Sequence, residues 1–185
     1  MSHKSKSVAV EKSTAKSKEW ILQALIILMR KKTFERITIK EISEKAGIDR
    51  KTFYRNFVSK YDVLQLYLDR AYEEYIKNLQ NEKTLDIFTI SKIYFEFCQK
   101  HIDFLRILDK SNMLIFILIA FDKYLPKIYE ILNDNETMND PIYDFALSFF
   151  TGGFWNMSVK WIRADTPQTP LEMAAIIGKI ITKNI

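Results

Sequence analysis

Residues 38–60 read TIKEISEKAGIDRKTFYRNFVSK, and the rest of the chain is arranged around them. Thr38 is followed three places on by Glu41. A threonine at a helix start accepts from an orphan backbone N–H, and a glutamate at the third helical position reaches back to the threonine's own N–H. The spacing therefore predicts a helix beginning at Ile39. Ile39, Ile42 and Ala46 share one face of it, while Lys40, Glu41, Glu44 and Lys45 lie outside that face. Gly47 is placed to stop this helix, because glycine takes the left-handed conformation without a Cβ clash. Asp49 is a cap for a second helix from Arg50 to Phe57, and Ser59 with Asp62 repeats the signal for a third.

The second helix has two faces. Phe53 and Phe57, four apart, point together and inward. Arg50, Lys51, Thr52, Tyr54, Arg55 and Asn56 are left outside, and none of them is acidic. A helix about two turns long with cations and hydroxyls on its free side suits the major groove of double-stranded DNA. There Arg and Asn make two-point contacts to base edges, while Thr, Tyr and Lys reach phosphate. Two short helices, a small Ala46-Gly47 corner and an apolar inner face make a helix-turn-helix. The bland alternative is an ordinary surface hairpin of helices.

Residues 46–60, AGIDRKTFYRNFVSK, resemble the signature of the TetR family of transcriptional regulators. The apolar residue before Tyr54, Phe57 three places later and the Ser59-Lys60 step stand where that family has them, and the likeness runs without a gap from about Trp20 to Tyr67. Asn56 departs from the pattern, since many relatives carry His there. Residues 149–173 (FFTGGFWNMSVKWIRADTPQTPLEM) are similar, more loosely, to C-terminal domains found in part of that family. The resemblance implies a homodimer, and a long helix that passes ligand-driven movement to the DNA reader.

Composition agrees with this expectation. A chain of 185 residues forms one or two small domains, and only 4 Gly and 4 Pro with 48% hydrophobic residues favour an all-helical fold. Residues 1–60 hold 15 Lys and Arg against 6 Asp and Glu, while the remainder holds 13 against 17. A basic head on an acidic body fits a polyanionic partner for the head alone. Cys98 is the single cysteine, so no intrachain disulfide can form, and its apolar neighbours mark it as a small core residue. No secretory signal or bilayer-length apolar run is present, and a cytoplasmic location is expected. With two histidines, no Cys/His pair at ligand spacing and no Gly-rich phosphate loop, we expect no catalytic residues, no metal and no cofactor.

Three regions follow: 1–17, a disordered basic tail; 18–60, the helix-turn-helix DNA-binding domain; and 61–185, a helical effector-binding and dimerisation domain. Lys4, Lys6, Lys12, Lys16 and Lys18 make the tail either an arm for DNA phosphates or a solubilising extension. Helices are predicted over 18–32, 60–80, 85–100 and 101–108, then from a Ser111 or Asn112 cap to Leu132, with Pro126 kinking or splitting the last. A polar loop at 133–140 precedes helices over 141–164 and 171–181. Gly152-Gly153 inside the first of these costs roughly 2 kcal/mol relative to two alanines, which predicts the close approach of another helix or a ligand.

The expected architecture is a three-helix head joined by a long helix to a helical body. Thr38, Tyr54 and Lys60 are the candidates for phosphate, and Arg50, Lys51, Thr52, Arg55 and Asn56 for base edges. An apolar effector pocket is expected among Phe95, Phe116, Phe121, Phe154 and Trp155, although such residues equally make a core. Phe150, Met157, Trp161, Met173, Ile177 and Ile180 are the candidates for a dimer interface. The expected function is a homodimeric regulator, a repressor in the first reading, held on or released from a palindromic operator by a small apolar effector. A protein-interaction adaptor or activator of the same fold that senses no small molecule is the alternative.

Overall fold

The computed structural model describes residues 2–132 and 141–182, and among these every regular element is a helix. The backbone divides into two compact units, Met1–Arg70 and Ala71–Ile185.

The first unit contains α1 (Ser2–Met29), a 3-10 turn (Phe34–Arg36), α2 (Ile39–Ala46), α3 (Arg50–Asn56) and the start of α4 (Lys60–Gln80). Ile21 and Leu25 of α1, Phe34, Ile42, Phe53 and Val63 are fully buried, and α1 packs on both α2 and α3. Each such side chain contributes about 1.5–3 kcal/mol on leaving water. α1 takes in residues 2–17, where a tail was expected; nothing from Ser2 to Met29 is Gly or Pro, and Ala, Lys and Glu favour helix. The first unit ends within α4, at Arg70. Val63 and Leu64 are buried, and Arg70 Nη1 donates to Glu19 Oε2 of α1 at 2.6 Å, so the first turns of α4 belong with the head.

The second unit continues α4 and adds α5 (Ile87–Lys100), α6 (Ile102–Lys110), α7 (Leu114–Leu132), α8 (Pro141–Arg163) and α9 (Pro170–Thr182). α5 lies along α9, and Ser91 and Ala174, small and fully buried, permit that approach. Asp86 caps α5 by accepting from the Thr89 N–H at 2.7 Å. Thr169 and Glu172 form a second reciprocal cap at the start of α9, with Pro170 at the tolerated first position. Arg106 pairs with Asp165 at 2.6 Å and Arg163 with Asp109 at 2.8 Å, tying α6 to the end of α8 and the turn after it.

α7 is a single element through Pro126 from Leu114 to Leu132, so the helix is not split there; Leu114, Ile117 and Ile128 are buried on its one face, and that burial offsets the lost backbone hydrogen bond. A Cβ added at Gly152 or Gly153 would meet nothing within 4 Å, so among the described residues no helix of the same chain approaches the pair closely. The polar loop expected at 133–140 lies outside the described residues.

Candidate nucleic-acid interface

The helix-turn-helix forms through local caps. The Thr38 N–H donates to Glu41 Oε2 at 2.9 Å, and the Glu41 N–H returns to Thr38 Oγ1 at 3.3 Å. Lys32 pairs with the same carboxylate. That hydrogen bond, followed by those from Thr38, lowers the Glu41 pKa to about 2. Gly47 ends α2 at φ 67°, with the Ile48 N–H closing on the Ser43 carbonyl at 3.0 Å. Asp49 then accepts from the Thr52 N–H at 2.6 Å and starts α3. Ser59 and Asp62 open α4 as their spacing predicts: the Val58 and Ser59 N–H groups both donate to Asp62 Oδ2 at 2.9 Å.

Phe53 and Phe57 are buried, and their packing turns the other side of α3 to solvent. Arg50, Lys51, Tyr54 and Arg55 are exposed there, Tyr54 at 57%, with Thr52 half-buried at the edge. This outer face carries three cations and a phenol. Thr38 is exposed, but its hydroxyl is already engaged by Glu41, to which it donates at 2.8 Å.

Two candidates sit differently from expectation. The Asn56 amide turns back along its own helix, Nδ2 donating to the Thr52 carbonyl at 2.7 Å, and its Oδ1 is buried without a partner. Lys60 turns its ammonium back onto the chain. Its Nζ donates to the carbonyls of Phe34 at 2.7 Å, Glu35 at 3.0 Å and Ile37 at 2.8 Å, and lies 4.5 Å from the centre of the Phe34 ring. Burial pushes its pKa down. The three carbonyls that take the cation lie more than twenty residues away in sequence, beyond what local spacing can show.

In the second unit, a cavity of about 90 Å³ is bounded by Tyr75, Ile90, Tyr94, Leu147, Phe154 and Trp155 among others. Phe154 and Trp155, two of the pocket candidates, line this cavity. Phe95 is instead buried core, packed edge-on against Trp161 at 5.3 Å. Phe116 is half-buried and the structure does not place it on this cavity, and the side chain of Phe121 lies outside the described residues. Tyr75, Ile90 and Tyr94 went unnoticed because their helical spacing reads as plain core. Of the lining residues, Tyr94 has its hydroxyl 2.8 Å from buried Ser158 Oγ.

The dimer candidates also divide. Trp161, Met173 and Ile177 are buried within the chain and are not offered to a second copy: Trp161 donates its indole N–H to the Gln168 carbonyl and packs on Phe95. Phe150 and Ile180 are exposed and Met157 half-exposed. Phe145 and Phe149, at 74% and 77% exposure, were missed, although their four-residue spacing on α8 signals an apolar stripe. Among the described residues no group of His, Cys, Asp and Glu could hold a metal, and no helix is long and apolar enough to cross a membrane.

Residues 21–66 match the model described as bacterial regulatory proteins of the tetR family, and residues 85–183 match one described as a transcriptional regulator C-terminal region. Among solved structures the chain is similar to Lin0861 from Listeria innocua, with a TM-score of 0.75 at 18% identity over 91% of each chain. It is similar to the fatty acid degradation regulator FadR from Bacillus halodurans, with a TM-score of 0.66 at 14% identity over 91% of this chain and 96% of that one. It is also similar to the dihydroxyacetone kinase operon activator DhaS, with a TM-score of 0.60 at 16% identity over 89% and 93%. At these identities the likeness establishes the fold. No curated protein matches the chain by sequence. The C-terminal match spans more than half of the residues and the N-terminal match takes in the whole helix-turn-helix; the chain belongs to the TetR family of bacterial transcriptional regulators.

Proposed function

We propose that this regulator is a homodimeric repressor that binds a palindromic operator and changes its hold on DNA when a small uncharged molecule enters the body. The observation that carries the reading is the outer face of α3, where Arg50, Lys51, Tyr54 and Arg55 project from a helix anchored by buried Phe53 and Phe57. Tyr54 reaches phosphate, and Arg50 and Arg55 reach base edges in the major groove. Two such heads related by a two-fold axis would read half-sites about one helical turn or more apart.

Support for the dimer comes from Phe145, Phe149 and Phe150 on α8 with Ile176, Ile180 and Ile181 on α9, all exposed. So large an apolar set on a monomer surface marks an interface. Gly153 and Gly178, with open space where a Cβ would stand, let a second copy approach the backbone.

The described walls of the cavity carry no charged side chain, and burying an ion there would cost several kcal/mol. The effector is therefore uncharged and small. The limited volume also favours a second reading, an activator or adaptor of this fold that senses nothing; one structural neighbour is named as an operon activator.

Fluorescence anisotropy with DNA from upstream of the gene and a scrambled duplex, at two salt concentrations, tests the reading. Preferential, salt-sensitive binding by two protomers per site is expected; equal weak binding to both duplexes would overturn operator recognition on that DNA.

A further inference from the structure

The helix-turn-helix segment, 38–59, is a loop in the chain, and Lys60 joins its two ends. The residue before the segment, Ile37, and the residue after it, Lys60, are in direct contact: Nζ donates to the Ile37 carbonyl at 2.8 Å, and to Phe34 and Glu35 in the adjacent 3-10 turn. An ammonium has three donors, and all three are engaged. The next residue after Ile37 is Thr38, the cap of α2. The start of α2 and the start of α4 are thus held to one nitrogen, with α3 suspended between them.

A cation at the first position of a helix works against the helix dipole. Three convergent carbonyls and the face of the Phe34 ring at 4.5 Å offset that here. The fit is specific to a compact ammonium. The planar, forked guanidinium of arginine spreads its donors over three nitrogens and does not converge on one point.

We propose that Lys60 is a positioning residue, a clasp that sets the angle at which α3 is presented to DNA, and that it does not itself neutralise a phosphate. This rests on the DNA-binding reading above, and the two can fail separately. A phosphate ligand and a clasp make opposite predictions for Lys60→Arg. Arginine serves a phosphate at least as well as lysine, so a phosphate ligand would survive the change, whereas a clasp would not.

The test uses the full-length protein and a duplex that the parent selects from a random-sequence pool. Lys60→Arg and Lys60→Met should each weaken binding to that duplex by on the order of tenfold, the weight of one base-edge hydrogen-bond pair put out of place. Binding to a scrambled duplex should hold at the parent level, and the slope of log K against log salt should stay as in the parent. Lys60→Gln, which keeps two donors, should fall between parent and Lys60→Met. A merely structural role would lower specific and scrambled binding together, in step with the unfolded fraction seen by circular dichroism. Hydrogen exchange without DNA reads the clasp directly: Lys60→Arg should speed exchange of the amides from Thr38 to Asn56.

Parental affinity in Lys60→Arg, or a slope lower by about one in Lys60→Met, would overturn the proposal, as would unchanged exchange in Lys60→Arg. A parent that selects no duplex overturns the operator reading instead, and the exchange experiment still decides the clasp.

Discussion

The indole N–H of Trp161 donates to the carbonyl of Gln168 at 2.8 Å, closing the turn between α8 and α9 from inside the body. Trp161 is 2% exposed and meets Phe95 edge to face. A residue that looked available to a partner copy is therefore a bolt within the chain. Trp161→Phe should keep much of the packing but leave the Gln168 carbonyl unpaired, at about 1–3 kcal/mol. Trp161→Ala should cost about 3–5 kcal/mol. Urea unfolding followed by circular dichroism measures both, and parental stability in Trp161→Phe would discount the hydrogen bond.

The dimer face is expected instead at the exposed stripe of α8. Phe149→Glu places a charge on a side chain already in water, so the protomer should stay folded and lose its partner. Light scattering at micromolar concentration should give the monomer mass; a persisting dimer would move the interface off α8.

On α3, Tyr54→Phe should weaken binding to every duplex alike, as removal of a phosphate hydrogen bond does. Arg50→Ala should relax preference at one base position by about 1–3 kcal/mol. Asn56→Ala should leave sequence preference intact, because its amide is turned to the Thr52 carbonyl. Selection of duplexes by each variant, followed by anisotropy, separates the three outcomes.

Glu41 supplies a pH dependence whose sign is fixed. Its carboxyl has a folded pKa of about 2, below the ordinary value of 4.5, because the carboxylate accepts from Lys32 and from Thr38. The charged form is favoured by folding, so the stabilisation is present above pH 4.5 and is lost as pH falls towards about 2. A carbon-detected titration of Glu41 should show a midpoint near the bottom of the carboxylate range. Lys32→Met should raise it, since Lys32 is the largest contributor.

The cavity in the body is expected to be specific for uncharged ligands. Toluene at ten times its dissociation constant should stabilise the protein by about 1.4 kcal/mol. Leu147→Trp, which fills the space, should abolish that shift and leave DNA binding in place. A toluene shift that survives Leu147→Trp in calorimetry would put the site elsewhere.

What was legible in the sequence is what neighbours along the chain decide. The reciprocal cap of Thr38 and Glu41, the left-handed stop at Gly47, the Asp49 cap and the Ser59-Asp62 start are interactions over three or four residues, and each stands where its spacing put it. The inward pair of Phe53 and Phe57 belongs with these, since four residues along a helix is one turn. The outward face of α3 was readable for that reason.

Tertiary structure alone decided the rest. Lys60 finds its carbonyls 23 to 26 residues back, and Trp161 becomes core only because α5 brings Phe95 against it. Which of several apolar residues on α8 and α9 face inward depends on where α5 lies, and no local spacing states that. The sequence by itself determined the all-helical fold and the outward face of α3, because those rest on short-range hydrogen bonds and helical periodicity. The uses of Lys60, Trp161, Met173 and Ile177 were settled by the approach of distant segments, which periodicity within one helix cannot encode.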